Sequence, residues 1–181
     1  MVAISNTWKG LMLMDVRQAI AERRSVRSYK TAPVEEEVLR GILEAARLAP
    51  SASNRQEWRF IAVRERGKIE ALAAAAGQPF IGTAPVVIAG VSLNPTRVMR
   101  CGVPTYAVDV AIAMTQITLA ATAAGLGTCW IGAFDQEEVK RILGVPDACK
   151  VVELMPLGYP ADQAGTKSRK AFGEVVSFEG F

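Results

Sequence analysis

The sequence predicts a mixed α/β or α+β fold, in which helices are layered around a single sheet. Segments with helical spacing of apolar residues alternate with short apolar runs typical of buried strands, but the alternation is irregular. No G-x-G-x-x-G motif follows a predicted strand, which disfavours a Rossmann dinucleotide site. Half of the 181 residues are apolar and 22% are charged, which is typical of a soluble globular protein. We therefore expect one domain over residues 14–181, preceded by an extension at residues 1–13.

The first half of the chain begins with two predicted helices. Val16–Glu22 is short and has apolar residues at helical spacing. Glu35–Leu48 has a continuous apolar face and acidic residues in its first turn, and Pro50 follows its end. Trp58–Val63 combines aromatic and β-branched residues and is predicted to be a strand. A small helix, Lys68–Ala76, follows it and ends at a glycine.

The second half begins with a strongly apolar strand, Ala84–Ala89. A loop then leads to the long helix Thr105–Ala124 and to a strand at Thr128–Ala133. Asp135 is placed to cap the next helix, Glu137–Leu143. Two further extended segments are predicted, a strand at Val151–Leu157 and a short one at Glu174–Phe178.

The helix Thr105–Ala124 is apolar on nearly every side. It is therefore either buried inside the protein or a membrane span, since about 20 residues can cross a bilayer. Asp109, Gln116 and four threonines dilute its apolar character, and no second span accompanies it. We therefore expect no membrane span, and instead a buried central helix packed against a partner subunit.

Composition excludes several classes of function. The chain has no histidine, so it cannot by itself build a Ser-His-Asp triad or a histidine-ligated metal site. Its three cysteines are well separated and lack metal-ligand spacing, which favours free thiols in a reducing cytoplasm. The net charge of +3 is modest and does not indicate a nucleic-acid partner. Residues 1–13 lack a signal-peptide pattern, and we expect a flexible or partner-packed extension there.

Three polar segments carry the candidate chemistry. The first is Arg23-Arg24-Ser25-Val26-Arg27, whose cations suit a phosphate but would also suit a solvated helix end. The second is residues 50–58, where hydroxyls and amides either form a turn or face the edge of a flat ligand. The third, Lys167-Ser168-Arg169-Lys170, would by itself be a solvated loop. A fourth stretch, at residues 125–134, reads GLGTCWIGAF. It combines a helix end, a strand and glycines that allow a flat ring to approach the backbone.

In this order and spacing, the four stretches resemble the FMN-dependent nitroreductase family from about Met14 to the end of the chain. The resemblance implies an α+β fold with a central, mostly antiparallel sheet flanked by helices. It also implies an intertwined homodimer, with FMN at the subunit interface and the segment around Glu174–Phe178 reaching onto the partner. One departure is Glu57, which stands where the family often has proline. We expect it to alter the loop or to place negative charge near the site mouth.

By this resemblance, FMN binding is shared between both ends of the chain and the partner subunit. The phosphate end would be held by Arg23, Ser25, Lys167 and Arg169, with Arg24 assisting, and Arg27 would lie by the pyrimidine edge. The other subunit would supply Pro50, Ser51, Ala52 and Asn54. The backbone of Ile131, Gly132 and Ala133 would face the ring, with the Gly132 amide near flavin N5. Gln78 is a further candidate contact.

The implied chemistry is hydride transfer from NADH or NADPH through flavin N5 to an electron-poor small molecule, such as a nitroaromatic or quinone, by a ping-pong mechanism. FMN carries this chemistry, so no side chain is predicted to be catalytic and no metal is expected. Two alternatives share the same phosphate contacts. One is a flavin-binding carrier or sensor without turnover, and the other is a specialised flavin dehydrogenase acting on a biosynthetic intermediate.

Overall fold

A four-stranded sheet lies at the centre of the protein, whose computed structural model describes residues 14–163, 165 and 167–181. Its strands are β1 (Trp58–Val63), β2 (Val86–Ser92), β3 (Gly127–Thr128) and β4 (Lys150–Gly158). They lie in the order β1-β2-β4-β3, and each neighbouring pair is antiparallel. The predicted α+β class with a mostly antiparallel sheet is confirmed.

Helices cover both faces of this sheet. They are α1 (Val16–Glu22), α2 (Glu36–Arg47), α3 (Arg66–Ala75), α4 (Thr105–Ala123), α5 (Gln136–Leu143) and α6 (Phe172–Val175). One core lies between the sheet and α2 with α4, and it includes Ile42, Met114 and Met155. The other core lies under α3 and α5 and includes Leu72 and Val139. Each such fully buried side chain contributes about 1.5–3 kcal/mol, so both faces of the sheet are needed for stability.

Helix α4 is the central helix of the fold. Among the residues that the structure describes, it is the one helix long and apolar enough by composition to cross a membrane. Its apolar side chains Val110, Met114 and Ile117 are fully buried against the sheet and α2. It also packs close to Gly90 of β2, where an added Cβ would lie 2.8 Å from Val110. Packing against the core accounts for the apolar residues on one face of this helix.

The predicted strand Thr128–Ala133 is wrong in its extent. The ladder stops after Thr128 and resumes only as an isolated bridge between Ile131 and Leu154, in the same register. That register places Cys129 opposite Pro156. Proline has no N–H to donate, so the ladder loses a hydrogen bond at this point. The interruption therefore comes from a residue on the partner strand.

The predicted extended segment Glu174–Phe178 is also wrong at its start, because it begins inside α6. There the Glu174 carboxylate accepts a hydrogen bond from the Ala171 N–H at 2.8 Å, and the Val176 N–H donates to the Phe172 carbonyl at 3.0 Å. The second bond closes one helical turn, and the first caps its start. Backbone that these bonds bend in this way cannot follow an extended path from Glu174.

Candidate functional site

The segment after α1 runs along the edge of the sheet and places the first group of cations. The Val26 N–H donates to the Thr128 carbonyl at 2.9 Å, and the Lys30 N–H donates to the Tyr159 carbonyl at 2.8 Å. Val26 is buried, so in this extended backbone Ser25 and Arg27 project away from the core. The predicted phosphate-end and pyrimidine-edge residues thus share one side of this edge segment.

Two glycines after α4 make this arrangement possible. Gly125, with φ of 73°, ends the helix in the left-handed region. Gly127 lies directly against Val26, and a Cβ there would be 2.4 Å from a methyl carbon of Val26. These glycines therefore serve the helix end and the packing of the edge segment. Gly132 is different, because nothing lies within 4 Å of the position its Cβ would occupy.

Cations from both ends of the chain meet beside the end of α1. The Lys167 ammonium donates a hydrogen bond to the carbonyl of Ala21 in the last turn of this helix. The pKa of Lys167 is lowered mainly by desolvation and, to a smaller extent, by the positive charges of Arg23 and Arg169. We call Arg23, Arg24, Lys167 and Arg169 the cation cluster. The bond places Lys167 at Ala21, two residues before Arg23, so cations from distant parts of the chain are brought together at the end of α1.

Arg24 differs from the other members of the cluster because it already has a partner. Its guanidinium contacts the Asp162 carboxylate at 2.8 and 3.1 Å and the Asp162 carbonyl at 3.0 Å. This bidentate pair ties the edge segment to the chain after β4. In the described ranges, Arg23, Arg27 and Arg169 have no carboxylate within ion-pair distance. The role of Arg24 at a phosphate stays a prediction, while its structural role is visible.

A cavity of about 560 Å³ lies against this cluster. It is bounded by α1, the end of α4, the edge segment and the chain after β4, and its charged walls are Arg24 and Lys167 with Glu22. The size falls within the range of about 300–1,000 Å³ that is usual for small-molecule sites. An anionic group could therefore enter beside the cations.

Residues 50–56 of the second predicted group, which spans residues 50–58, form an exposed loop that we call the polar loop. Ser53, Asn54 and Gln56 all have φ near +53°, a left-handed conformation that costs non-glycine residues about 1–3 kcal/mol each. Internal hydrogen bonds support it: the Ser51 hydroxyl accepts from the Gln56 N–H at 2.9 Å, and the Gln56 side chain donates to Asn54 Oδ1 at 3.1 Å. Three such residues in four positions indicate a loop held in a particular shape.

The polar loop and the cation cluster lie at opposite ends of α4. The Ala52 N–H donates to the Asp109 carboxylate in the second turn of this helix, at 3.1 Å. The cavity beside the cluster is lined by Thr122, in the last turn. Thirteen residues of helix separate the two, a rise of about 20 Å. Within one chain, the structure therefore does not bring Pro50, Ser51, Ala52 and Asn54 to the cations.

The ring-facing candidates lie on a third part of the surface. The Ile131 backbone exchanges two hydrogen bonds with Leu154, at 2.9 and 3.0 Å, which leaves Gly132 and Ala133 exposed after it. Burial raises the pKa of the Cys129 thiol, and Arg27 is close enough to offset part of that rise. Arg27 thus lies near the start of this segment. Gln78 is half-buried beyond α3, whose Ala75 carbonyl accepts from the Asp135 N–H at 2.9 Å.

One functional-looking residue was not predicted. Glu153 of β4 is 2% exposed, and neither carboxylate oxygen has a hydrogen-bond partner among the described atoms. Burial raises its pKa to about 9, so the group is a neutral acid at pH 7. The register of Ile131 with Leu154 places Glu153 opposite Gly132. The only sequence signal was a single charge inside the apolar run Val151–Leu157.

In the part of the chain that the structure describes, no group of three or more Cys, Asp and Glu residues is arranged to hold a metal ion. The carboxylates of Glu22 and Asp162 lie beside the cation cluster, but the polar side chains at the three surfaces are mainly cations, amides and hydroxyls. Such groups can bind an anion and the polar edge of an uncharged ring.

The fold is that of an α+β protein with clustered cations at the edge of its sheet. The sequence model of the Nitroreductase family matches residues 20–78 and 70–159, so the chain belongs to the Nitroreductase family.

Its relatives agree with this assignment. A Methanothermobacter thermautotrophicus protein with the provisional name NADH dehydrogenase/NAD(P)H nitroreductase is 35% identical over 167 residues, covering 85% of this chain and 82% of its own. The Bacillus subtilis FMN reductase [NAD(P)H] is 32% identical over 173 residues, covering 86% and 70%. The solved structure of an FMN-dependent nitroreductase from Clostridium difficile R20291 superposes with a TM-score of 0.80 at 28% identity, covering 90% of this chain and 98% of that one. These names support an oxidoreductase.

Proposed function

We propose that this protein is an FMN-dependent oxidoreductase that uses NADH or NADPH to reduce an electron-poor small molecule, such as a nitroaromatic or quinone. The observation that carries the proposal is the contact of Lys167 with the end of α1, next to Arg23 and Arg24, at a cavity of about 560 Å³. When bound, FMN would supply the redox chemistry, accepting hydride at N5 and passing it to the acceptor in a ping-pong sequence.

The cation cluster fits a phosphoryl group. Desolvation is the largest cause of the lowered pKa of Lys167, and the neighbouring positive charges are the next largest. These cations therefore repel one another in the absence of an anion. A dianionic phosphate would remove that repulsion and accept charge-assisted hydrogen bonds from guanidinium and ammonium groups. Ser25, which projects from the same edge segment, would add a hydroxyl donor.

Arg27 and the Gly132 backbone fit the ring of the same ligand. Arg27 projects from the edge segment on the same side as Ser25 and lies near Cys129, where it would stabilise negative charge on a pyrimidine edge. Open space over Gly132 leaves its N–H accessible to a flat ring. The chain would thus orient the cofactor, while protons would come from solvent.

The separation of about 20 Å along α4 supports a homodimer with shared sites. A polar loop that contacts the flavin must come from a second copy, since its own chain holds it at the far end of this helix. Apolar surface supports the same conclusion. Val16 and Leu48 are 68% and 48% exposed and line an apolar groove with Leu119. The C-terminal Phe172 and Phe178 are 68% and 80% exposed.

The first test is the absorption spectrum of the freshly purified protein, followed by anaerobic titration with NADH and NADPH. We expect flavin bands that bleach on reduction and return when menadione, a quinone, is added. Flavin bands that do not bleach with either nicotinamide would support the carrier or sensor alternative or a dehydrogenase with its own substrate. Colourless protein that does not take up added FMN would contradict the proposal.

The second test separates a shared site from a site within one chain. Subunits carrying Arg23→Ala and Lys167→Ala are refolded together with subunits carrying Ser51→Ala and Asn54→Ala, and mixed dimers are isolated by two affinity tags. In a shared arrangement, one site of each mixed dimer receives both defects and the other receives none, so half of the sites should keep the wild-type Kd for FMN. If each site belonged to one chain, every site would carry one defect, and no site would keep the wild-type Kd.

A further inference from the structure

Glu57 joins two loops that are separate in sequence. It follows the polar loop directly, and its carboxylate accepts from Arg97 Nε at 2.8 Å, Arg97 Nη2 at 3.0 Å and Asn94 Nδ2 at 3.2 Å. Its carbonyl also accepts from the Leu93 N–H at 3.0 Å. We call Glu57, Asn94 and Arg97 the Glu57 cluster. One residue thus holds the start of β1 to the loop at residues 93–104 through side chain and backbone.

The loop at residues 93–104 is itself fixed to α4. The Arg97 carbonyl accepts from the Thr105 N–H at 3.0 Å, at the first residue of this helix. The Met99 N–H donates to the Val103 carbonyl at 2.8 Å and closes the tip of the loop. Arg97 is therefore fixed relative to α4. Its bidentate contact with Glu57 fixes Glu57 relative to the same helix.

The polar loop needs such attachments because of its backbone. Left-handed non-glycine residues persist only where their surroundings impose that conformation. Asp109 holds the loop at Ala52, and the Glu57 cluster holds it at its other end. Both attachments lead to the N-terminal half of α4. The shape of the intervening residues is thus determined from both sides.

We propose that Glu57 is a positioning residue, whose carboxylate holds the polar loop and the loop at residues 93–104 in one fixed arrangement at the mouth of the flavin site. This rests on the proposed function for the identity of the site, but the connection between the loops stands on the contacts themselves. Glu57 and Arg97 are 29% and 35% exposed as side chains, and such pairs contribute little to global stability. Loss of the Glu57–Arg97 pair is therefore expected to change the local order of the two loops and the placement of the ligand.

The test compares Glu57→Gln with Glu36→Gln. The Glu36 carboxylate also holds two groups, Arg40 at 2.6 Å and Arg64 at 2.7 Å, but it lies on α2 away from both loops. Hydrogen exchange measured by mass spectrometry on flavin-free protein reads the order of residues 51–57 and 93–98. We expect exchange there to be about tenfold faster in Glu57→Gln and unchanged in Glu36→Gln.

Kinetics then connect the loops to the site. In Glu57→Gln we expect the KM for the acceptor menadione to rise about fivefold, with kcat within about twofold of wild type. The reversed pair Glu57→Arg with Arg97→Glu should recover most of both losses, whereas Glu57→Arg alone should not. Wild-type exchange rates in Glu57→Gln would overturn the connection between the loops. Faster exchange with an unchanged KM would overturn the role at the site. A wild-type protein that binds no FMN would refute the proposed function and the role at the site, while the exchange rates would still decide the connection.

Discussion

Hydrogen-bond donors lie beside both ends of helix α4, but they are arranged differently at the two ends. At its C-terminal end, the cation cluster is assembled by one chain from residues on both sides of the sheet edge, and Arg24 is already paired with Asp162. At its N-terminal half, the polar loop is held in shape by its own hydrogen bonds and by Asp109, but it faces solvent. The first region brings its cations together in a single copy, whereas the second is exposed among the described residues of that copy.

This difference suggests how a small protein can bind a large ligand. In the proposed dimer, one chain would supply the charge that determines affinity, and the second would supply the polar surface that determines orientation. Charge-assisted hydrogen bonds contribute about 1.5–3 kcal/mol each, and neutral ones about 0.5–1.5 kcal/mol. Substitutions at the two ends of α4 should therefore differ in size as well as in kind.

The largest effect is expected when the cation cluster is removed. Arg23→Ala combined with Lys167→Ala deletes two charged donors, so the Kd for FMN should rise by at least about 100-fold. Titration of FMN fluorescence measures it, and circular dichroism checks that the variant is folded. The matched control is Lys68→Ala with Arg141→Ala, which removes two exposed cations from α3 and α5. Full FMN occupancy in the Arg23 and Lys167 variant would refute the phosphate assignment.

Glu153 is the buried acid of β4 that lies opposite the exposed Gly132. The pKa of Glu153 is raised from 4.5 to about 9 in the folded protein, so the folded state holds a proton that the unfolded state releases between these values. Stability from this group is therefore greatest below pH 4.5 and falls as pH rises towards 9. Glu153→Gln is neutral throughout. We expect it to match wild type near pH 4.5 and to exceed it by about 3 kcal/mol at pH 7.

Urea denaturation of both proteins at pH 5, 7 and 9 measures this dependence. The difference in free energy of unfolding should grow with pH and level off near pH 9. A difference that does not change with pH would mean that Glu153 has an ordinary pKa.

A smaller effect on stability distinguishes two glycines at the same sheet edge. Gly127→Ala places a methyl group 2.4 Å from the Val26 side chain and should cost about 1–3 kcal/mol of unfolding free energy. Gly132→Ala enters open space and should leave stability within about 0.5 kcal/mol of wild type. It should nevertheless weaken FMN binding, because the methyl group would lie where the ring is expected. Thermal unfolding with and without FMN measures both effects, and equal stability losses would contradict the assignment.

The smallest effect is expected in the polar loop. Asn54→Ala removes one neutral amide, so the Kd for FMN should rise by about 10-fold or less. The same titration measures it, with Arg55→Ala in the same loop as the control for a general loss of charge. A loss as large as that of the cation-cluster variant would mean that both ends of α4 contribute equally to FMN binding.

Most of the elements follow from local sequence. The bounds of α1 are the predicted ones, α2 and α4 differ by one residue at one or both ends, and Asp135 caps α5 as expected. Periodicity and caps act over one or two turns, so these signals survive without knowledge of the rest of the chain. Helix α3 starts at Arg66, two residues before the predicted start at Lys68. The Glu65 carboxylate accepts from the N–H groups of Gly67 and Lys68 and so caps the helix at this earlier point.

Candidate site residues could be named from charge and from resemblance, but their partners could not. Nothing near Arg24 in sequence indicates Asp162, which lies 138 residues away. The polar loop was expected to form a turn or a site, yet its three left-handed residues are not evident from Ser53, Asn54 and Gln56 as residue types. The contacts of Glu57 with Asn94 and Arg97 depend likewise on the pairing of β1 with β2.

By itself, the amino-acid order determined the helices, most strand positions and the presence of clustered cations, because each depends on neighbours within a few residues. Only the tertiary structure decided where β3 stops, since Pro156 acts across the sheet and not along the chain. It also decided that Glu153 is a buried neutral acid, because the cost of its charge depends on which atoms from other segments surround it.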